Sequence, residues 1–138
     1  MALAAATAGL MLAGCGTAIC ACGAAPQTPP AVTSPEAGFD VLVTETDQDI
    51  TVHVGQKIEV YLRPRAGLTP WSYPRSSDEA VVAPMQAYPH ASFGATAAGF
   101  KAISPGTSSI TAYATAGCSP GQACPMFAAL LSVRVTVV

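Results

Sequence analysis

Five cysteines, two histidines and a short series of carboxylates are the side chains of this 138-residue chain with the clearest capacity for chemistry. Cys118 and Cys124 enclose Ser119-Pro120-Gly121-Gln122-Ala123, and Pro120-Gly121 is a turn signal that lets the chain reverse and bring the two thiols together. With no His nearby they make only half of a zinc site, so no metal is expected and a disulfide is predicted wherever the compartment is oxidising. Glu45, Asp47 and Asp49 alternate and can share one face of a strand. That face either holds Ca²⁺ through its oxygens or is a solvated strand end, and the spacing of an EF-hand loop is absent. His53 sits on the outward side of an alternating run and His90 follows Tyr88-Pro89 in a loop. Neither has a nucleophile or carboxylate partner nearby in sequence. No Gly-x-Ser-x-Gly, His-Glu-x-x-His or Gly-rich phosphate loop occurs, so the chain is expected to be no enzyme and to carry no cofactor.

The fifth cysteine points to an address rather than a reaction. Ala2 to Ala13 is apolar and uncharged, too short to cross a hydrocarbon layer of roughly 30 Å, and suits the h-region of a signal peptide. It ends in Leu12-Ala13-Gly14-Cys15, with small residues that let a peptidase approach the backbone. This pattern resembles the lipobox of bacterial lipoproteins, although no Lys or Arg precedes the apolar run. The resemblance implies that the Cys15 thiol is diacylated and that the chain is cut before it. From Gly16 to Gly38, Pro26, Pro29, Pro30 and Pro35 lie among Ala, Thr and Ser, a composition that buries little and reads as a semi-extended tether. Cys20 and Cys22 within it can pair with each other, be acylated or stay free. The expected organisation is a lipoprotein signal peptide over 1–14, a flexible tether over 15–38 and one domain over 39–138, anchored by lipid on the outer face of the bacterial cytoplasmic membrane. Export supplies the oxidising compartment that the Cys118–Cys124 disulfide needs.

Composition bounds the rest. The chain is 51% hydrophobic and 10% charged, with six basic against eight acidic residues and a net charge of -2. No basic face is available for nucleic acid. About 100 residues after the tether are enough for a single domain.

The elements that must position these residues are strands. From Phe39 onward the hydrophobic period is two. Ile50, Val52 and Val54 alternate with Thr51 and His53; Ile58, Val60 and Leu62 alternate with Lys57, Glu59, Tyr61 and Arg63. Ile110, Ala112 and Ala114 alternate with Thr111, Tyr113 and Thr115, and Val133, Val135 and Val137 with Ser132, Arg134 and Thr136. Alternation puts one face on a core and the other in water. Turn formers separate the runs at Gly55-Gln56, Ala66-Gly67, Tyr73-Pro74 and Pro105-Gly106. About seven strands are predicted, near 40–46, 50–54, 57–63, 79–83, 98–103, 107–115 and 127–137, with Trp71 a possible start of another. Short strands with regular turns predict an all-β antiparallel sandwich.

Three segments make the expectation more specific. Thr51-Val52-His53-Val54-Gly55-Gln56-Lys57-Ile58 resembles the "strand, Gly-x, strand" opening of bacterial Ig-like domains of the group 2 type. Ser76-Ser77-Asp78-Glu79-Ala80-Val81-Val82 resembles their S-S-D-x-x-V-V segment, and Phe100 to Ala112 their F-x-A-x-x-x-G-T-x-x-I-T-A signature. The resemblance spans roughly residues 50–138 and implies an Ig-like β-sandwich. It implies no activity, because this fold hosts many.

Trp71 has two readings: a ring filling the centre of the core, or part of a surface platform with Tyr73, Tyr61 and Tyr88 that stacks on sugar or peptide. Two function classes follow. One is a lipid-anchored binding or structural module, a monomer contacting cell wall, protein or a small ligand through its end loops. The other is an inhibitor, because chagasin-type cysteine-protease inhibitors are also small exported Ig-like domains that insert three loops into a protease cleft. Leu62 to Trp71 lies where their Asn-Pro-Thr-Thr-Gly loop precedes an aromatic, and the Cys118–Cys124 loop where their Arg-Pro-Trp loop falls. This chain has neither motif.

Overall fold

The computed structural model describes residues 31–86, 89–92 and 94–138. Cys15, Cys20, Cys22 and Tyr88 lie outside the described residues. Among those described there is no helix, and eight strands form: β1 (Val41–Val43), β2 (Asp49–Val52), β3 (Lys57–Leu62), β4 (Arg75–Ser76), β5 (Val82–Pro84), β6 (Thr96–Ala102), β7 (Gly106–Thr115) and β8 (Ala128–Val137). They build two four-stranded sheets in the orders β1-β3-β6-β5 and β2-β8-β7-β4. In Ig lettering these are A-B-E-D and A′-G-F-C, so the fold is an Ig-like sandwich.

Two departures from the expected strands have physical causes. The extra strand forms at Arg75–Ser76 rather than at Trp71, beyond Pro70 and Pro74, which have no N–H for a ladder. The strands expected near 40–46 and 50–54 form as β1 and β2, but in different sheets. The Asp47 carboxylate accepts from the Thr44 backbone N–H at 2.7 Å and its hydroxyl at 2.9 Å, closing a turn that carries the chain from one sheet to the other. β1 therefore pairs in parallel with β3, and β2 in parallel with β8, within an otherwise antiparallel sandwich.

The core lies between the sheets. Ile58, Val60, Phe100, Ile110, Val133 and Val135 are all at most 1% exposed, and each comes from the apolar phase of its strand. Alternation misjudges one face. Glu59 and Tyr61, on the outer phase of β3, are 2% and 6% exposed. Period two tells which way a side chain points, not what covers it. Glu59 accepts the backbone N–H of Glu36, and the Tyr61 hydroxyl lies 3.2 Å from Ser92 Oγ in the β5–β6 loop. The segment at Glu36 is thus docked on the sheet.

The two sequence signatures meet through Ser108. This hydroxyl is 2% exposed, accepts the Asp78 N–H at 3.0 Å and sits 2.9 Å from Ser76 Oγ, while Ser77 Oγ accepts the Ser109 N–H at 2.9 Å. A polar staple thereby joins the connection after β4 to β7. At the β6–β7 turn, Gly106 adopts φ +152° and a side chain there would meet Val81 at 3.0 Å, so glycine is required by conformation and by space.

Candidate functional site

The ladder registers place three connections at one end of the sandwich. The end of β3 faces the start of β6 at Leu62↔Thr96, and the end of β7 faces the start of β8 at Thr115↔Ala128. Residues 63–74, the described residues between β5 and β6 (85–86, 89–92, 94–95) and 116–127 therefore emerge together. The short turns at 53–56 and 103–105 lie at the opposite end.

The first of these loops is a strand interrupted by its prolines. Thr69 N–H donates to the Thr115 carbonyl at 2.8 Å, Thr115 N–H returns to Thr69 Oγ1 at 3.1 Å, and Ser72 N–H donates to the Tyr113 carbonyl at 2.7 Å. Leu68 bridges Ala116, and Gly117 N–H donates to the Gly67 carbonyl at 2.9 Å. The loop therefore runs beside β7, with residues 64–67 as its exposed tip and Pro70 and Tyr73 exposed along its length. At its base Arg63 bonds Glu45, with Nε and a terminal nitrogen each 2.8 Å from the carboxylate.

Trp71 braces this loop from inside. It is 6% exposed and belongs to the core cluster; its Nε1–H donates to the Arg63 carbonyl at 2.9 Å, and its own carbonyl accepts from Thr96 Oγ1 at 3.1 Å. Tyr61 is equally buried, while Tyr73 is 45% exposed. The rings of Trp71, Tyr73 and Tyr61 form no common exposed platform: Trp71 lies in the core between the sheets, Tyr61 is covered on the outer face of β3, and of the three only Tyr73 is exposed.

The third loop carries the predicted disulfide. Cys118 and Cys124 are bonded, with Cα atoms 5.6 Å apart. After it, Pro125, Met126 and Phe127 stand in solvent and wall an apolar groove of ≈ 430 Å³ against Thr115 and Ala116. Phe127 is 53% exposed and Met126 fully so. Sequence reasoning missed this pair, which reads simply as the start of an alternating strand.

The remaining titratable residues do not gather. Glu45 turns to Arg63, Asp47 to Thr44 and Asp49 to Arg134, so the three carboxylates hold no common ion. Among the described residues no group of three metal-ligating side chains forms. His53 is exposed. His90 has a partner that no local pattern could supply: Glu36, 54 residues earlier, accepts from its backbone N–H at 2.8 Å and meets its Nδ1 at 2.6 Å. That hydrogen bond raises the His90 pKa above the ordinary imidazole value and lowers that of Glu36 below the ordinary carboxylate value.

No protein-family model matches the chain, and no curated protein does. Solved structures similar to it include the following two. One is a crystal structure of the cysteine protease inhibitor EhICP2 from Entamoeba histolytica, with 14% identity and a TM-score of 0.49, over 75% of this chain and 100% of that one. The other is the solution structure of Amebosin, with 18% identity and a TM-score of 0.42, over 73% of this chain and 100% of that one.

Proposed function

We propose that this domain is a protein-binding module that engages its partner through the three-loop end, presented from the outer face of a bacterial membrane by lipid on Cys15. The convergence of the three loops carries the reading. One loop is hydrogen-bonded along β7 and braced by Trp71, and another is closed by the Cys118–Cys124 disulfide. Loops ordered in advance lose less entropy on binding. Met126 and Phe127 offer exposed apolar anchors at the same end, of the kind that dominate protein interfaces. The Pro-rich segment after Cys15 spaces the domain from the bilayer.

The same arrangement favours a sharper form, inhibition of a papain-type cysteine protease in the manner of chagasin-type domains. Three loops side by side make a wedge, and a wedge suits a cleft. The contacts would differ from theirs, since the Asn-Pro-Thr-Thr-Gly and Arg-Pro-Trp motifs are missing and Trp71 is engaged in the core. Nanomolar inhibition of a papain-type enzyme, lost on Met126→Asp with Phe127→Asp, is the expected result. Failure across a protease panel removes the inhibitor form. A photo-cross-linker at Met126 that captures no protein on living cells removes the module reading altogether. The anchor has its own test: Cys15→Ala should release the chain from the membrane fraction, and a wild-type chain without lipid refutes it.

A further inference from the structure

The outer edge of β8 is only partly covered. β2 pairs with it from Asp49↔Arg134 to Val52↔Val137 and stops there, because the Thr44–Asp47 turn takes the chain across to the other sheet. Ala128–Val133 have β7 on one side, and among the described residues nothing bonds to them from the other. The direction of their polar groups follows from one contact. Arg134 N–H donates to the Gln48 carbonyl at 2.8 Å, away from β7. Backbone groups alternate along a strand, so the N–H and C=O of Ala128, Leu130 and Ser132 also point outward at this edge.

Edges of this kind are usually blunted by a charge, a proline, a bulge or a covering segment. Here Met126 to Val133 contains no charge and no proline, and Leu130 is 72% exposed. Tyr113, its cross-strand neighbour on the outward face, is 59% exposed, so the apolar surface continues past the edge.

We propose that this edge pairs with the same edge of a second copy of the chain, antiparallel, about a two-fold axis at Leu130. The window is complementary to itself. In that register Leu130 meets Leu130 and Ala128 meets Ser132. All of these residues aim their backbone groups across the seam, and about six N–H···O=C bonds close it. No charge lies in the window to oppose its copy. The start of β2 limits the window to a short strand, and a second copy satisfies that limit because its own β2 stops at the same place. The result is one continuous sheet across two domains, an isologous interface.

The test is oxidative cross-linking of full-length Leu130→Cys in its native membrane, read by non-reducing electrophoresis and mass. Facing residues of such a pair have Cα atoms about 5.5 Å apart, within disulfide reach. The expected product is a covalent species of twice the chain mass, absent for Thr107→Cys on the same sheet face but away from the edge. In parallel, the detergent-solubilised wild type should sediment as two chains and Leu130→Lys as one, with the Cys118–Cys124 disulfide intact in both. A wild type that sediments as one chain overturns the proposal. So does a dimer that Leu130→Lys leaves intact, or a cross-linked product containing a different protein.

Discussion

Trp71→Ala should destabilise the domain by about 3–5 kcal/mol, the range for truncating a large buried ring and leaving a cavity. The site sets the value near the upper end. Trp71 is 6% exposed, packs in the core cluster, and its indole N–H is bonded to the Arg63 carbonyl at 2.9 Å. Removing the ring also leaves that carbonyl without its partner. Trp71→Phe separates the two contributions. It keeps most of the apolar filling and loses the hydrogen bond, for a cost of about 1–2 kcal/mol. Since a domain of this size has roughly 5–15 kcal/mol in total, the alanine variant should melt more than 10 °C lower. Urea unfolding followed by far-UV circular dichroism measures both variants. In the wild type, emission of the sole Trp offers an independent probe that should report the same midpoint. A loss under about 1 kcal/mol for Trp71→Ala would refute the core assignment and return the ring to a surface role.

Ser108→Ala should cost about 1–3 kcal/mol in the same unfolding assay, because the buried hydroxyl accepts the Asp78 N–H and its loss leaves that donor without this partner; a neutral outcome would mean that the staple contributes nothing. Replacing Cys118 and Cys124 together by Ser should cost only roughly 2 kcal/mol, the chain-entropy value for so short a loop, and should weaken partner binding more than stability. A much larger loss would show that the loop supports the core. The Glu36–His90 contact should have a pH window. His90 has its pKa raised, so its contribution is complete below the ordinary imidazole range and fades as pH rises through the folded value. Glu36 has its pKa lowered, so its contribution holds above the ordinary carboxylate range and fades as pH falls through the folded value. The protection factors of the Glu36 and His90 amides, corrected for intrinsic exchange at each pH, should be highest between the two, and an NMR titration placing His90 at or below the ordinary imidazole pKa would contradict the pairing.

Which parts of this molecule are legible in its sequence depends on the range of the cause. The inward face of β7 and β8 is written locally: Ile110, Ala112, Val133 and Val135 each follow from period two, and Pro105-Gly106 from turn chemistry. The Cys118–Cys124 pair is also local, six residues apart around a Pro-Gly turn. The covered face of β3 is not local. Glu59 looks like a solvated residue until Glu36 arrives from 23 positions away, and His90 looks partnerless until the same residue reaches it. Trp71 is legible as a core ring or as a surface ring, and only its burial between the sheets of the folded domain decides between them. The three-loop end required the registers of two ladders, which no single segment encodes.

The two surfaces proposed for interaction are built by opposite means, and the contrast bears on what each can do. In the first loop of that end, N–H groups are satisfied from within: Thr69 and Ser72 are bonded across the gap to β7, and Gly117 is bonded back to Gly67. A partner there gains little from main-chain bonding and must be recognised by side chains such as Met126 and Phe127, which makes selectivity a matter of shape. The β8 edge offers the reverse, unpaired backbone and few distinguishing side chains. Backbone pairing accepts many sequences, so selectivity there must come from register, and the limit set by β2 supplies it. If Leu130→Lys abolished both self-association and partner capture, the two surfaces would be coupled, with the dimer needed to present two loop ends at once. Loss of self-association alone would show that each loop end binds independently, and that pairing adds only the avidity of two sites.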